Sequence, residues 1–437
     1  MSRQAPAEPL SARRRLPFEE AVRRRRLANG AEFFVLENHF NPTVALSGSL
    51  SAGPVYGVPG RRLVAAVTAG ELMKGTSRRT KLQLAEELES RAASLSFACD
   101  ASDPVGLDIG GSALSRDTGI VLDLLVEILT DPVFPEEELA KEKKRLVGAI
   151  RQQQDQTSAR AYEAAMRAIY PPESPFHRRS AEERIPVVES LTREELARFY
   201  AERYGGGTLK LVVVGDVDAG EILDGLERRF GSWRGGPAPS IPSFPAPPPA
   251  PGRETVRMPD KASADVVLTE PSTLTRTDPD YIACVLANSA LGQSSLTSRL
   301  GVRVRDVEGL TYGIHSSFTA THLPGPFFVT VTVRPDHRDA AVASALDEIV
   351  RFRREGMTAK ELADEKSSRS GKFQVDLASN GGIAHAIDAA MYYELGLEYL
   401  DRFPALVAAV TLEEANASFA GRVHPENFTI ASAGSFP

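Results

Sequence analysis

Between Gly235 and Gly252 the chain carries eight prolines, and the sequence on the two sides of that stretch repeats itself. Proline at this density fixes the backbone dihedral φ and removes amide donors, so neither a helix nor a central strand can form there. The stretch therefore reads as a semi-rigid linker between domains. Before it, Leu191-Thr-Arg-Glu-Glu-Leu196 leads to the apolar run Leu209-Lys-Leu-Val-Val-Val-Gly215. At the far end, Val410-Thr-Leu-Glu-Glu-Ala415 leads to Phe428-Thr-Ile-Ala-Ser-Ala-Gly434. Thr192 aligns with Thr411 and Gly215 with Gly434 without a gap. A second pair, Glu138-Leu-Ala-Lys-Glu-Lys143 and Glu361-Leu-Ala-Asp-Glu-Lys366, matches at nearly the same spacing. Two collinear matches point to a duplication. The boundaries read as a basic arm over 1–24, a first domain over 25–234, the linker over 235–252 and a second domain over 253–437.

Each half mixes two hydrophobic periods. In Thr43 to Ala52, residues Val44, Leu46 and Leu50 alternate as in a half-buried strand. Leu63 to Lys74 reads as a helix. Thr80 to Ala93 places Leu82, Leu84, Leu88 and Ala92 at helical spacing behind a Thr80 N-cap. Ile120 to Leu129 is apolar enough for a buried helix. Pro135 opens another, whose first turn holds Glu136, Glu137 and Glu138 at the positive end of its dipole. Thr192 and Thr411 each begin a capping box. The predicted class is α+β: two similar domains, each a largely antiparallel sheet packed with helices.

Charge and cysteine usage exclude several classes. Lys plus Arg number 51 and Asp plus Glu 58, a formal charge of −7, so there is no generally basic face for nucleic acid. No apolar run reaches the ~18 residues of a membrane span. Cys99 and Cys284 are too few and too far apart for a disulfide scaffold or a Cys-rich zinc module, and read as unpaired core residues. Residues 1–30 hold eight arginines without an apolar stretch behind them. That favours a solvated arm and a cytoplasmic protein over a secretory signal, with an organellar transit peptide as the lesser alternative.

Conventional catalytic motifs are missing. No two of the seven histidines stand at i and i+4, and there is no P-loop, Gly-x-Gly-x-x-Gly or Gly-x-Ser-x-Gly. One stretch, Leu63-Val-Ala-Ala-Val-Thr-Ala-Gly-Glu-Leu-Met-Lys-Gly-Thr76, resembles the zinc-binding helix of the M16 (insulinase, or pitrilysin-type) metallopeptidases, which carries His-x-x-Glu-His before a Lys-Gly-Thr-like turn. Asp131-Pro-Val-Phe-Pro-Glu-Glu-Glu138, Leu191-Thr-Arg-Glu-Glu195, Val213-Val-Gly-Asp-Val217 and Phe230-Gly-Ser-Trp233 resemble further landmarks of that family, in order. With the duplication and the linker, the resemblance covers residues 25–437.

The departures from the family pattern carry the functional reading. In a His-x-x-Glu-His helix two imidazoles on one face grip zinc and the Glu serves as base. Aligned on Lys74-Gly75-Thr76, the ligand positions hold Ala66 and Gly70, and the base position holds Ala69. The third ligand position is Ala149; Glu142, at the supporting-acid position, is kept and also suits an ordinary helix surface. Ala and Gly offer no donor, so no zinc is expected in this chain. In the second half, Ser298 to Ser317 resembles the segment from which the family aims an Arg and a Tyr at the zinc site, and Arg305 and Tyr312 fall on those positions. His315 is predicted to lie on the opposite strand face from Tyr312. The resemblance therefore implies the substrate-binding member of a heterodimer. Its homologous partner, carrying His-x-x-Glu-His, would hold the zinc, and unfolded or short peptides would be the substrates. Alternatives are an inactive scaffold subunit of a larger assembly, an accessory subunit for maturing a peptide precursor of a cofactor such as pyrroloquinoline quinone, and a homodimer.

Overall fold

The computed structural model describes residues 16–100, 102–236, 240–294 and 296–436. The first half builds a sheet from β1 (Arg23–Arg26), β2 (Glu32–Glu37), β3 (Thr43–Leu50), β4 (Ser94–Ala98), β5 (Leu107–Leu114) and β6 (Lys210–Gly215), in the order β1-β2-β6-β3-β5-β4. The second half builds one from β7 (Gly252–Arg257), β8 (Ala264–Pro271), β9 (Thr311–Ala320), β10 (Pro324–Val333) and β11 (Thr429–Gly434), in the order β7-β11-β8-β10-β9. Position by position, the second order copies the first without β1. Each sheet has one parallel junction, β2–β6 and β7–β11, and is otherwise antiparallel. The protein is α+β, with two helix-packed sheets.

The matching segments fold alike. Helices Arg193–Arg203 and Leu412–Arg422 both start in capping boxes. The Thr192 hydroxyl accepts from the Glu195 amide at 3.3 Å while Glu195 accepts from the Thr192 amide at 3.0 Å. Thr411 and Glu414 repeat this at 3.1 and 2.7 Å. Each helix then feeds a central strand, β6 or β11. Both strands end on glycine for the same reason. Gly215 has φ 155°, and a Cβ there would stand 2.2 Å from the Thr43 carbonyl oxygen; Gly434 has φ 158°, and its Cβ would stand 2.7 Å from the Ala264 Cβ.

The halves are locked by an exchange of helices. Helices Leu63–Glu71, Thr118–Thr130 and Ala219–Phe230 contribute to the core on one face of the first sheet. Its other face is covered from the second half by helix Asn380–Tyr392, which lays Ile383, Ala384, Ile387 and Ala390 on Phe34, Leu36, Ala45, Val212 and Val214. Reciprocally, helix Thr157–Ile169 of the first half lays Ala161, Ala165, Met166 and Ile169 on Val267, Ala431 and Ala433 of the second sheet. Burying an aliphatic side chain of this size contributes about 1.5–3 kcal/mol. The central strands are therefore covered on both faces, which explains why β6 is apolar at consecutive positions from Leu211 to Val214.

Three expectations change at the segment ends. Part of the arm expected over 1–24 is folded: Phe18–Ala21 is a helical turn and Arg23–Arg26 is the edge strand β1. The Phe18 amide donates to both Asp401 carboxylate oxygens at 3.0 and 2.9 Å, tying this segment to the second half. The arginine run is used in ion pairs, among them Arg25 with Asp224 and Glu227, both at 2.7 Å. Residues 1–15 lie outside the described residues. In the proline-rich stretch, residues 240–251 have neither helix nor strand, but β7 begins at Gly252 rather than after it. Phe244 of this stretch packs on the cluster between the halves, with the Arg62 guanidinium 5.4 Å from its ring centre. The helix expected to reach Lys74 ends at Glu71 and continues as a 3₁₀ turn over Leu72–Lys74. Both cysteines are free. Among the described residues no helix is long and apolar enough to cross a membrane.

Candidate peptide-facing site

Helix Leu63–Glu71 carries the positions at which the sequence resemblance expects metal ligands. Ala66 and Gly70, one turn apart, are both exposed, while Ala69 is buried in the core. A Cβ on Gly70 would meet nothing within 4 Å, so glycine is not required there by space. Ala149 sits half-buried on helix Glu136–Gln154. Leu63 packs on the cluster containing Ile150, which joins the two helices at these positions. Methyl groups and a hydrogen cannot ligate a cation, and among the described residues no group of three or more His, Cys, Asp or Glu could hold one. The residues at these positions do not fit zinc. Glu142 is held by Arg145 on its own helix, Nε at 2.7 Å and Nη2 at 2.5 Å.

Beside these positions lies a group that the sequence pattern did not single out. Glu71 is fully buried, and neither carboxylate oxygen has a hydrogen-bond partner among the described residues. Burial, opposed by Lys74 and reinforced by Glu142 and Glu138, pushes its pKa up to about 7. The available signal was a lone acid inside an otherwise apolar helix.

The second half presents the Arg and Tyr positions on adjoining elements. Arg305 stands in a π-helical turn, Gly301–Val307. Its carbonyl accepts from the Gly309 amide at 3.2 Å, and Gly309, at φ 65°, turns the chain toward β9. Its side chain is one-third exposed and pairs with Asp306 at 3.2 Å. Tyr312 follows at the start of β9, the open edge of its sheet. Thr311 pairs with Val333 and Gly313 with Thr332, so Tyr312 is the extra residue of a β-bulge. The Thr311 hydroxyl fixes the bulge by accepting from the Gly313 amide at 3.0 Å. The result is a tyrosine 94% exposed, the most exposed of the large apolar side chains among the described residues.

The bulge also bears on the expectation for His315, which rested on strict alternation. Ile314 and Ser316 are buried and His315 alternates with them, but the alternation stops at Gly313, so the face of His315 no longer fixes that of Tyr312. His315 Nδ1 lies 3.0 Å from the Gln293 carbonyl oxygen.

Comparison with known proteins agrees with this architecture. Residues 190–369 match the family model described as the peptidase M16 inactive domain. The crystal structure of a peptidase M16 inactive domain from Pseudomonas fluorescens superposes with a TM-score of 0.85 at 25% identity, over 94% of this chain and 97% of that one. Residues 190–369 belong to the M16 peptidase family, and the shared fold extends over nearly the whole chain. An uncharacterized zinc protease of Streptomyces coelicolor is 23% identical over 79% of this chain and 75% of its own length. A protease from Helicobacter pylori shares the fold, with a TM-score of 0.84 at 15% identity over 96% of this chain. The chain is homologous to proteins named zinc proteases, and its Ala66, Ala69, Gly70 and Ala149 offer no side-chain donor for a metal.

Proposed function

We propose that this chain is the non-catalytic, substrate-binding subunit of a heterodimeric M16 zinc endopeptidase. Zinc, base and attacking water would belong to a homologous partner carrying His-x-x-Glu-His. The observation that carries the reading is Tyr312, lifted into solvent by a bulge beside Arg305, in a chain whose own ligand positions are Ala66, Gly70 and Ala149. A 94% exposed aromatic contributes little to its own fold, so its placement suits contact with something outside the chain. Arg305 would anchor a peptide carbonyl through charge-assisted hydrogen bonds. The Tyr312 hydroxyl would donate to the oxyanion that develops as that carbonyl is attacked. The open edges β4 and β9 suit extended peptides, whose main chain pairs with a strand irrespective of sequence.

The test is reconstitution with a His-x-x-Glu-His partner and an unstructured peptide. The double variant Arg305→Ala, Tyr312→Phe is expected to keep the complex and lower kcat/KM by about 100-fold or more, the scale of one lost oxyanion donor. Unchanged activity overturns the proposal.

A further inference from the structure

Arg305 stands in a π-helical turn, Gly301–Val307, a conformation that is rare and occurs mostly as single turns. Such a turn needs something to hold it against the α register, and Arg303 does so twice. Its carbonyl accepts from the Glu308 amide, five residues on, at 3.0 Å. Its Nε donates to the Glu308 carboxylate at 3.2 Å. The same two residues therefore close the turn by main chain and by side chain. On an α-helix, residues three and four apart are neighbours, whereas residues five apart stand about 140° apart around the axis. The Arg303–Glu308 ion pair thus favours the π register over the α register.

The outer end of the same guanidinium reaches helix Arg338–Glu355. Nη1 donates to Asp347 at 2.6 Å and to Glu348 at 3.3 Å. The two contacts differ in weight. Asp347 is exposed, and water screens that pair. Glu348 is fully buried, with Arg303 and Arg351 as its ion-pair partners and Oε1 without a hydrogen bond among the described residues. A buried carboxylate that loses one of two cations is costly, so the Glu348 contact dominates. Leu300 and Val304, both fully buried, seat the turn on the core of the second half.

Arg303 and Arg305 flank Val304. Side chains two apart on a helical turn project to roughly opposite sides of its axis, so tying Arg303 to helix Arg338–Glu355 turns Arg305 away from that helix. The ion-pair partner of Arg305 is Asp306, its neighbour in the chain. The direction of Arg305 is therefore set by the turn rather than by a distant anchor of its own. Relaxation to the α register would rotate Arg305 by about 100°, one residue's worth, relative to Gly309 and the strand that carries Tyr312. We infer that Arg303 is a positioning residue for Arg305: through Glu308 and Glu348 it holds the register that aims Arg305 at the peptide. This rests on the role proposed for Arg305 above and adds the residue that aims it.

A double-mutant cycle in the reconstituted complex tests it, read as kcat/KM on an unstructured peptide. Arg303→Gln is expected to lower kcat/KM at least about tenfold, the scale of one charged hydrogen bond. In an Arg305→Ala background the same change should cost less than about twofold, because the residue it aims is gone. Arg303→Lys, which keeps a cation near Glu348, should recover most of the loss. Glu308→Ala removes the register-specific pair at an exposed position and should act in the same direction, which keeps the test open if Arg303→Gln does not fold. Hydrogen exchange on the lone chain needs no partner: amides of residues 304–309 should exchange faster in Arg303→Gln and Glu308→Ala while β8 and β10 keep their protection. Unchanged exchange overturns the inference. Activity lost in Arg305→Ala but kept in Arg303→Gln and Glu308→Ala overturns it and leaves the role of Arg305 standing. Equal losses in both backgrounds make Arg303 a packing residue and overturn it as well. Full activity in Arg305→Ala overturns the role of Arg305 and this inference together.

Discussion

Ser47 and Asp388 stand 341 residues apart in sequence, and the serine hydroxyl donates to the aspartate at 2.9 Å. Ser49 donates to the other carboxylate oxygen at 3.1 Å. Both serines lie on the face of β3 that helix Asn380–Tyr392 covers, so a charged group from one half is buried on the sheet of the other. Burial pushes the Asp388 pKa up to about 7; the two serine bonds and Lys210 oppose the rise, and Asp108 adds to it. The contact between the halves is thus most comfortable with Asp388 protonated.

A pH dependence follows. The folded state holds the Asp388 proton up to about pH 7, while the unfolded chain releases it near its ordinary value of 3.8. The native state binds more protons between these values, so stability falls as pH rises from about 4 to 7 and then levels. Glu71 and Glu270, also raised to about 7 by burial, slope the same way. The clean observable is therefore a difference. Urea unfolding of Asp388→Asn and wild type should show the variant gaining relative stability from pH 5 to 7 and no further gain from pH 8 to 9. A constant difference across that range would show that Asp388 is ionised in the folded state.

The exchanged helices predict that neither half is a folding unit. Without helix Thr157–Ile169, Val267, Ala431 and Ala433 face water; without helix Asn380–Tyr392, Phe34, Val212 and Val214 do. Chains 1–236 and 240–437 expressed separately should bind a hydrophobic dye and lack a cooperative melt. Expressed together, they should elute as one 1:1 complex. A cooperative monomeric melt for either fragment alone would contradict the interlock.

What the sequence made legible was local. The gap-free repeat marked β6 and β11 because a capping box, a helix and an apolar strand are all written within thirty residues. The alternation of Val44, Leu46 and Leu50 marked one face of β3. Its other face carries Ala45, Ser47 and Ser49, a composition that suits solvent, and only the distant helix with Asp388 explains why Ser49 is buried. Tyr312 and Arg305 were legible by position, but the bulge that lifts the tyrosine out of the alternation shared by Gly313, Ile314 and His315 depends on pairing with β10. Arg23–Arg26 reads as solvated charge; its partners Asp224, Glu227 and Glu32 lie on elements that only the fold assembles.

Two glycines should respond oppositely to alanine. Gly215→Ala places a methyl 2.2 Å from the Thr43 carbonyl oxygen in a backbone conformation alanine disfavours, and should cost about 2 kcal/mol or more. Gly70→Ala meets open space on an exposed helix and should stabilise by about 0.5–1 kcal/mol. Chemical denaturation reads both. A destabilised Gly70→Ala would mean that position 70 is confined in the folded chain.

Zinc should not bind stoichiometrically. After dialysis against zinc and removal of the excess, metal analysis of the lone chain should find far less than one equivalent, and a chelator should leave its melting temperature unchanged. The reason is chemical: Ala66, Gly70 and Ala149 carry no donor, and Glu142 is committed to Arg145. One equivalent of tightly held zinc would place the ligands elsewhere in the chain.

Tyr312 separates structural need from use. Its side chain is 94% exposed, whereas Ile314, two residues along β9, is 1% exposed within the core of the second half. Tyr312→Ala should therefore shift the stability of the lone chain by no more than about 0.5 kcal/mol, the ordinary surface range. Ile314→Ala should cost about 2–5 kcal/mol through lost burial and the cavity left behind. In the reconstituted complex the ranking should invert: Tyr312→Ala abolishes most of the activity at unchanged stability, and Ile314→Ala lowers activity only as far as it lowers the folded fraction. A Tyr312→Ala chain that melts as early as Ile314→Ala would make the tyrosine a packing residue and remove the main support for a split active site.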